Sequence, residues 1–308
     1  MHKLRRIAGH PLVKASYFLL LVVATGFYLY RWGDRLPDLL AQVRPLWVLA
    51  ALGITGLAAL LYSFIQYSIY KRLGAPVSYW TTLRIISISQ LGKYLPGKVM
   101  FAGNYYLLSR EAGISNAQVG TSFVVSQALW MLTASLCGLP VLALLNPVLR
   151  YTVILLPVGL ALLIHPRFLS GLLRLAQRIS GRGQSIPLAL PQGLGGAFYL
   201  RMAALYLINW ILAGAGGWFS LRALGPVDPD IFPLALAALA LGTIAGFIAL
   251  FAPVGLGVRE GLGTIILAPA VGAEVALLGL VLLRGVTVVL DLSLALLSLA
   301  SRARQRVF

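Results

Sequence analysis

The chain has 308 residues, of which 59% are hydrophobic and 11% are charged, and its mean hydropathy is +0.89. Charged residues make up about a quarter of an average soluble domain, so the composition excludes one and predicts an all-α polytopic membrane protein. The formal charge of +17 would suggest nucleic-acid binding in a soluble chain. Here the cations cluster at the ends of apolar segments, so the orientation of the chain in the membrane and contact with anionic lipid headgroups explain the charge, and no nucleic-acid partner is predicted.

Residues that bind metals or perform catalysis are sparse. The only cysteine, Cys137, lies in an apolar segment and excludes an intramolecular disulfide. His2, His10 and His165 are scattered and lack ligand spacing. The sequence has no carboxylate pair, Ser/His set or Walker loop, so it indicates neither a metal, a cofactor nor an enzyme.

The first part of the chain predicts two crossings. Residues 1–14 contain four cations and no acid, which predicts a cytoplasmic N-terminus. Residues 15–30 form the first predicted span, with a signal peptide as the alternative interpretation. Residues 46–70 form the second span, which is long enough to cross a bilayer with some tilt.

A helix break follows at Pro96-Gly97. The limbs on either side, residues 81–95 and 100–108, are each too short to cross a core of about 30 Å at about 1.5 Å per residue. We therefore predict a re-entrant hairpin that enters from the cytoplasm and places Lys98 at its tip.

The middle of the chain predicts a third span, a return and a connector. Residues 117–136 form the third span, and residues 150–164 begin the return. The connector, residues 165–196, contains four arginines and no acid, and its amphipathic part suits a cytoplasmic surface of anionic lipid. Residues 198–221 form the next span, in which Gly214, Gly216 and Gly217 favour close helix packing.

A second break lies at residues 253–261, between apolar limbs at residues 232–250 and 262–271. We interpret it as a second re-entrant hairpin, with two full crossings as the alternative. Residues 275–300 form the last span, and three arginines beyond it predict a cytoplasmic C-terminus. The count is about six full transmembrane helices plus two hairpins.

The two breaks suggest an internal repeat, because Pro96 and Pro253 are 157 positions apart (253 − 96). The whole chain is interpreted as one membrane domain, with a first half at residues 1–164 and a second half at residues 197–308. Entry of the hairpins from opposite sides makes this an inverted repeat, an arrangement that places broken helices at a midplane site.

The breaks also carry the candidate chemistry. An interrupted helix leaves free N–H groups that favour an anion, and Lys98 and Arg259 add full charges there. Glu260 is predicted to pair with Lys98 or Lys93 or to bind a headgroup amine, while Arg284 and Asp291 share one face of the last span. Interfacial snorkelling of the cations and a purely structural Arg284–Asp291 pair are the alternatives. The candidate substrate-binding residues are Lys93, Pro96, Gly97, Lys98, Gly255, Gly257, Arg259, Glu260, Arg284 and Asp291.

Residues 91–98 (LGKYLPGK) and 253–261 (PVGLGVREG) resemble the flippase-like family, also called the lysylphosphatidylglycerol synthase transmembrane region. The resemblance extends over nearly the whole chain. It implies an inner-membrane protein that moves lipids or lipid-linked sugars between leaflets, without the fused synthase domain of some relatives. The motif positions that carry over are Pro96, Gly97, Lys98, Gly255, Gly257, Arg259 and Glu260.

The sequence thus predicts a flippase-like transporter of a phospholipid or polyprenyl-linked lipid in the inner (plasma) membrane. A scaffold that recruits a lipid-modifying enzyme or a glycosyltransferase through the basic connector is the alternative, and a membrane-embedded transferase is the third hypothesis. A separate enzyme partner and a homo-oligomer both stay open.

Overall fold

The computed structural model describes residues 43–94, 99–144, 194–249 and 257–305, together with the isolated positions 41, 151, 154, 155 and 157. Within these ranges the chain is helical and has no β-strand, which confirms the predicted all-α fold. The helices of the described part are α1 (Pro45–Arg72), α2 (Tyr79–Leu91), α3 (Val99–Glu111), α4 (Asn116–Cys137), α5 (Gly196–Arg222), α6 (Phe232–Ile248), α7 (Val258–Val271) and α8 (Ala273–Gln305).

Five of these helices, namely α1, α4, α5, α6 and α8, are long and apolar enough to cross a membrane. The protein is therefore polytopic, and the spans predicted at residues 46–70, 117–136, 198–221 and 275–300 coincide with four of the five. The predicted span at residues 15–30 lies outside the described residues. The same is true of nearly all of the predicted segment at residues 150–164 and of the connector.

The remaining helices are short. Helices α2 and α3 have 13 residues each and α7 has 14, which corresponds to about 20 Å at about 1.5 Å per residue. Each is shorter than a hydrocarbon core of about 30 Å. Helix α6, which was predicted to be a hairpin limb, belongs to a segment (Pro229–Ile248) with the length of a full crossing. Hairpin and crossing therefore both stay open for the second break.

Polar side chains cap the starts of two helices, α2 and α4. The Ser78 hydroxyl accepts the N–H of Thr81 at the start of α2. At the start of α4, Ser115 and Gln118 cap each other's backbone N–H groups. The Gln118 side chain also donates to the carbonyl of Leu73, at 2.9 Å, and so fixes α4 to the end of α1.

Close packing joins α5 to its neighbours, as its glycines predicted. A Cβ atom at Gly214 would lie 2.8 Å from Leu236 in α6, and one at Gly216 would lie 2.3 Å from the Thr55 hydroxyl in α1. At Gly217 the nearest contact would be an ordinary 3.6 Å. The prediction of close packing is therefore confirmed for the first two glycines.

A buried polar cluster holds α3 against α1 and α4. The Tyr105 hydroxyl accepts from the Gln66 side chain at 2.5 Å and bonds to the Ser122 hydroxyl at 2.8 Å. Tyr70 stacks on Tyr105 and hydrogen-bonds to Ser109. Because these polar groups are buried, each depends on its partner in the cluster.

Candidate functional site

A cavity of about 340 Å³ lies among the helices, and each of the eight described helices contributes at least one lining residue. Its walls contain aromatic, neutral polar and charged side chains. The charged lining residues are Lys93, Arg259, Arg284 and Asp291. Charged side chains beside both predicted breaks (Lys93 and Arg259) and in the last span (Arg284 and Asp291) therefore line one cavity.

Described residues beside each break line the cavity, because the helices that carry them end or begin there. Helix α2 ends at Leu91 and continues as a short 3-10 turn to Tyr94. A Cβ atom at Gly92 would lie 2.7 Å from the backbone carbonyl carbon of Met100, so glycine permits α2 and α3 to approach closely. A Cβ at Gly242 would similarly lie 2.8 Å from the carbonyl oxygen of Arg259, which presses α6 against the start of α7.

Asp291 joins the first break to α8. Its carboxylate lies 2.7 Å from the Lys93 ammonium and accepts a hydrogen bond of 2.6 Å from the Tyr94 hydroxyl. The Lys93 and Asp291 side chains are 30% and 15% exposed. This ion pair and hydrogen bond connect residues nearly 200 positions apart, one in each half of the chain.

Glu260 lies in the first turn of α7, at the end of the second predicted break. Its carboxylate accepts the backbone N–H of Gly257 at 2.8 Å and forms an ion pair with Arg284 of α8. Gly257 has φ +80°, a conformation that glycine adopts without strain. We predicted that the free N–H groups at this helix start would face an anionic ligand. The structure instead supplies Glu260 as an anion for one of them, the N–H of Gly257.

Arg259 differs from the other cations of the cavity. Within the described ranges it has neither a hydrogen-bond acceptor nor a salt-bridge partner, whereas Lys93 and Arg284 each pair with a carboxylate. Among the described residues, three cations thus face two carboxylates, counting Glu260, which does not itself line the cavity, and this leaves a surplus of one positive charge (3 − 2). Unpaired charge at membrane depth is costly unless it faces water or a ligand.

The structure brings Lys93, Gly257, Arg259, Glu260, Arg284 and Asp291 to this region of the fold. Pro96, Gly97, Lys98 and Gly255 lie outside the described residues. The predicted Arg284–Asp291 pair is wrong, because each side chain pairs with a partner from another element. Seven residues separate them by about 10.5 Å along a helix, which is too far for a direct bond.

The predicted pair of Glu260 with Lys93 is also wrong, because Glu260 pairs with Arg284 and Lys93 is bound to Asp291. The other predicted partner, Lys98, lies outside the described residues.

Sequence reasoning missed several lining residues, namely Gln90, Tyr94, Gln127, Trp130 and Asn209. Tyr94 adjoins Lys93 in the first motif, and its adjacency to a charged candidate was the available signal. Gln127 and Asn209 are polar residues within apolar spans, which is itself a sign of a polar interior. The side-chain amide of Asn209 donates to the carbonyl of Ala58, whereas the side-chain amides of Gln90 and Gln127 have no hydrogen-bond partner in the described part of the chain.

The comparisons with known proteins give one family. The family profile described as lysylphosphatidylglycerol synthase TM region matches residues 12–295. A comparison with curated proteins found no match. The described residues contain no group of three or more His, Cys, Asp or Glu side chains that could hold a metal ion.

Proposed function

We propose that this chain, which belongs to the lysylphosphatidylglycerol synthase transmembrane-region family, moves a phospholipid or a lipid-linked sugar between the two leaflets of the inner membrane. The headgroup occupies the central cavity and the acyl or prenyl tails stay in the lipid. Both termini face the cytoplasm in this proposal, in keeping with the distribution of cations.

The observation that carries the proposal is a charged cavity inside an apolar bundle. Arg259 lines it without an acidic partner among the described residues. A polar headgroup needs such a lining to cross a hydrocarbon core, since buried polar groups must be paired. The two interrupted helices beside it are the type of element that forms midplane sites in transporters.

The Lys93–Asp291 pair supports a mechanism of alternating access. It connects Lys93, just before the first break, to Asp291 in α8. Forming or breaking this ion pair would therefore change the contact between the two halves of the chain. We propose that the pair stays closed while the headgroup anion is bound at Arg259, and that it opens when the cavity changes the leaflet to which it is accessible.

The test is leaflet transfer in proteoliposomes. Acyl-labelled fluorescent lipids are reconstituted with the full chain, and dithionite measures the labels that reach the outer leaflet. Arg259→Gln removes the unpaired charge and is expected to slow transfer at least about tenfold. Arg201→Gln is the matched control, because Arg201 is exposed on α5 and does not line the cavity.

The outcomes separate the hypotheses. Transfer by the wild type and by Arg201→Gln, but not by Arg259→Gln, supports the proposal. Equal transfer by all three proteins contradicts the assignment of the cavity. No transfer of any phospholipid or polyprenyl lipid by a folded wild type contradicts transport and favours the scaffold.

A further inference from the structure

We infer that the lipid is anionic and amine-free: its headgroup presents a phosphate, unsubstituted or esterified to a small neutral alcohol. This inference rests on the proposed function, because it names the substrate class of the same cavity. The reasoning depends on which charged groups of the cavity are already paired.

Each carboxylate already has a cationic partner. The Oδ2 atom of Asp291 accepts from the Lys93 ammonium and from the Tyr94 hydroxyl. Glu260 binds Arg284 and the N–H of Gly257, and it is only 7% exposed. At this site an ammonium headgroup would therefore find no carboxylate among the described residues whose charge is not already balanced by a cation. Recognition of an amine at this site is therefore disfavoured.

Among the described residues the cations are in surplus, and the surplus charge is on Arg259. A guanidinium carries five N–H donors in a planar fork that matches two phosphate oxygens. Within the described ranges these donors meet neither a carboxylate nor another acceptor. A phosphodiester, which carries one negative charge, would balance the surplus of one charge, and an added ammonium would restore it; a phosphate monoester would meet the surplus with about one to two negative charges.

The volume limits the rest of the headgroup. About 340 Å³ lies near the lower end of the roughly 300–1,000 Å³ found for small-molecule sites. A phosphate with a small alcohol suits this space, whereas an oligosaccharide does not. The free amides of Gln90 and Gln127 supply hydrogen bonds for neutral hydroxyl groups.

The aromatic rings of the lining raise the question of a choline headgroup, because such rings bind quaternary ammonium groups. Trp130, however, already packs against Trp210 and lies edge-to-face with Phe247. Its ring is therefore engaged with protein. Phosphatidylcholine nevertheless belongs in the test, since a preference for it would reveal a choline site.

The experiment compares lipids with identical labelled tails in the proteoliposome assay. Phosphatidylglycerol and phosphatidic acid represent the inferred class. Phosphatidylethanolamine, phosphatidylcholine and lysylphosphatidylglycerol carry amines. The wild type is expected to transfer the first class at least about tenfold faster than the second. Arg259→Gln should abolish this preference, and Arg201→Gln should retain it.

A binding measurement on the same protein separates this inference from the proposed function. Water-soluble dihexanoyl forms of the five lipids are titrated into the detergent-solubilised full chain by calorimetry. Transfer without an anionic preference overturns the inference and leaves the proposed function standing. Selective binding of the anionic pair without any transfer overturns the proposed function and supports the inference. If neither transfer nor binding is selective for the anionic pair, the inference is overturned.

Discussion

The ion pair between Glu260 and Arg284 should be the most strongly coupled charge pair of the described residues. Glu260→Gln removes its negative charge but keeps an oxygen that can accept the N–H of Gly257, so the change isolates the ion pair from the cap. Arg284→Gln removes the opposite charge. The two single variants and the double variant form a thermodynamic cycle.

The expected magnitude follows from burial. The Glu260 and Arg284 side chains are only 10% and 19% exposed, so each single change leaves one charge poorly solvated. Loss of one partner from a buried pair costs about 3–5 kcal/mol of unfolding free energy. The double variant leaves neither charge unpaired, and its cost should be smaller than the sum of the single costs by about 3 kcal/mol.

The single cysteine provides the assay. Cys137 is buried, so a maleimide dye labels it when the protein unfolds, and labelling across a denaturant series gives the free energy of unfolding. The Lys93–Asp291 pair is the internal comparison: its side chains are 30% and 15% exposed, and its coupling should be nearer to about 1 kcal/mol. Additive single costs at Glu260 and Arg284, or a larger coupling at the Lys93 pair, would refute this reasoning.

Three further predictions concern packing and use the same labelling assay. Gly92→Ala should destabilise the protein by about 1–3 kcal/mol, because its Cβ would meet backbone atoms at 2.7 Å; Gly103→Ala, where the space is open, is the control and should be neutral or stabilising. Tyr105→Phe should cost about 1–3 kcal/mol, since it leaves the buried Gln66 amide without its hydroxyl partner; an unchanged unfolding midpoint would contradict this. Gly257→Ala should cost about 1–3 kcal/mol because of its positive φ, and equality with Gly103→Ala would show that this backbone conformation is not required.

Much of the fold could be predicted from sequence because long apolar runs have few alternatives in a membrane. The spans around Trp47, Leu129 and Tyr206 follow from length and composition alone. The breaks were also detectable, since proline, glycine and lysine in an apolar run cost free energy in a membrane unless they are buried in protein or line a cavity. The described helices lie on both sides of each break, but the predicted bounds are not exact: α2 ends at Leu91 and not at residue 95, and α7 begins at Val258, inside the break predicted at residues 253–261.

The pairing of charges could not be predicted. Arg284 and Asp291 share a helix face, and that proximity in sequence suggested a pair. Their actual partners, Glu260 and Lys93, come from elements whose rotation about their own axes depends on packing against several neighbours. One sequence contains no direct record of that rotation. The role of Tyr94 was missed for the same reason.

The most direct test of the central claim is to block the cavity with a covalent label and to measure lipid transfer in the same preparation before and after labelling. In a Cys137→Ala background, Thr243→Cys places a thiol on the cavity wall, and Leu297→Cys places one on an exposed face of α8 as the control. Both are labelled to completion with a bulky maleimide, as verified by mass spectrometry. We predict that labelling at position 243 stops lipid transfer and that labelling at position 297 does not. Undiminished transfer by the protein fully labelled at position 243 would contradict the claim that the headgroup passes through this cavity.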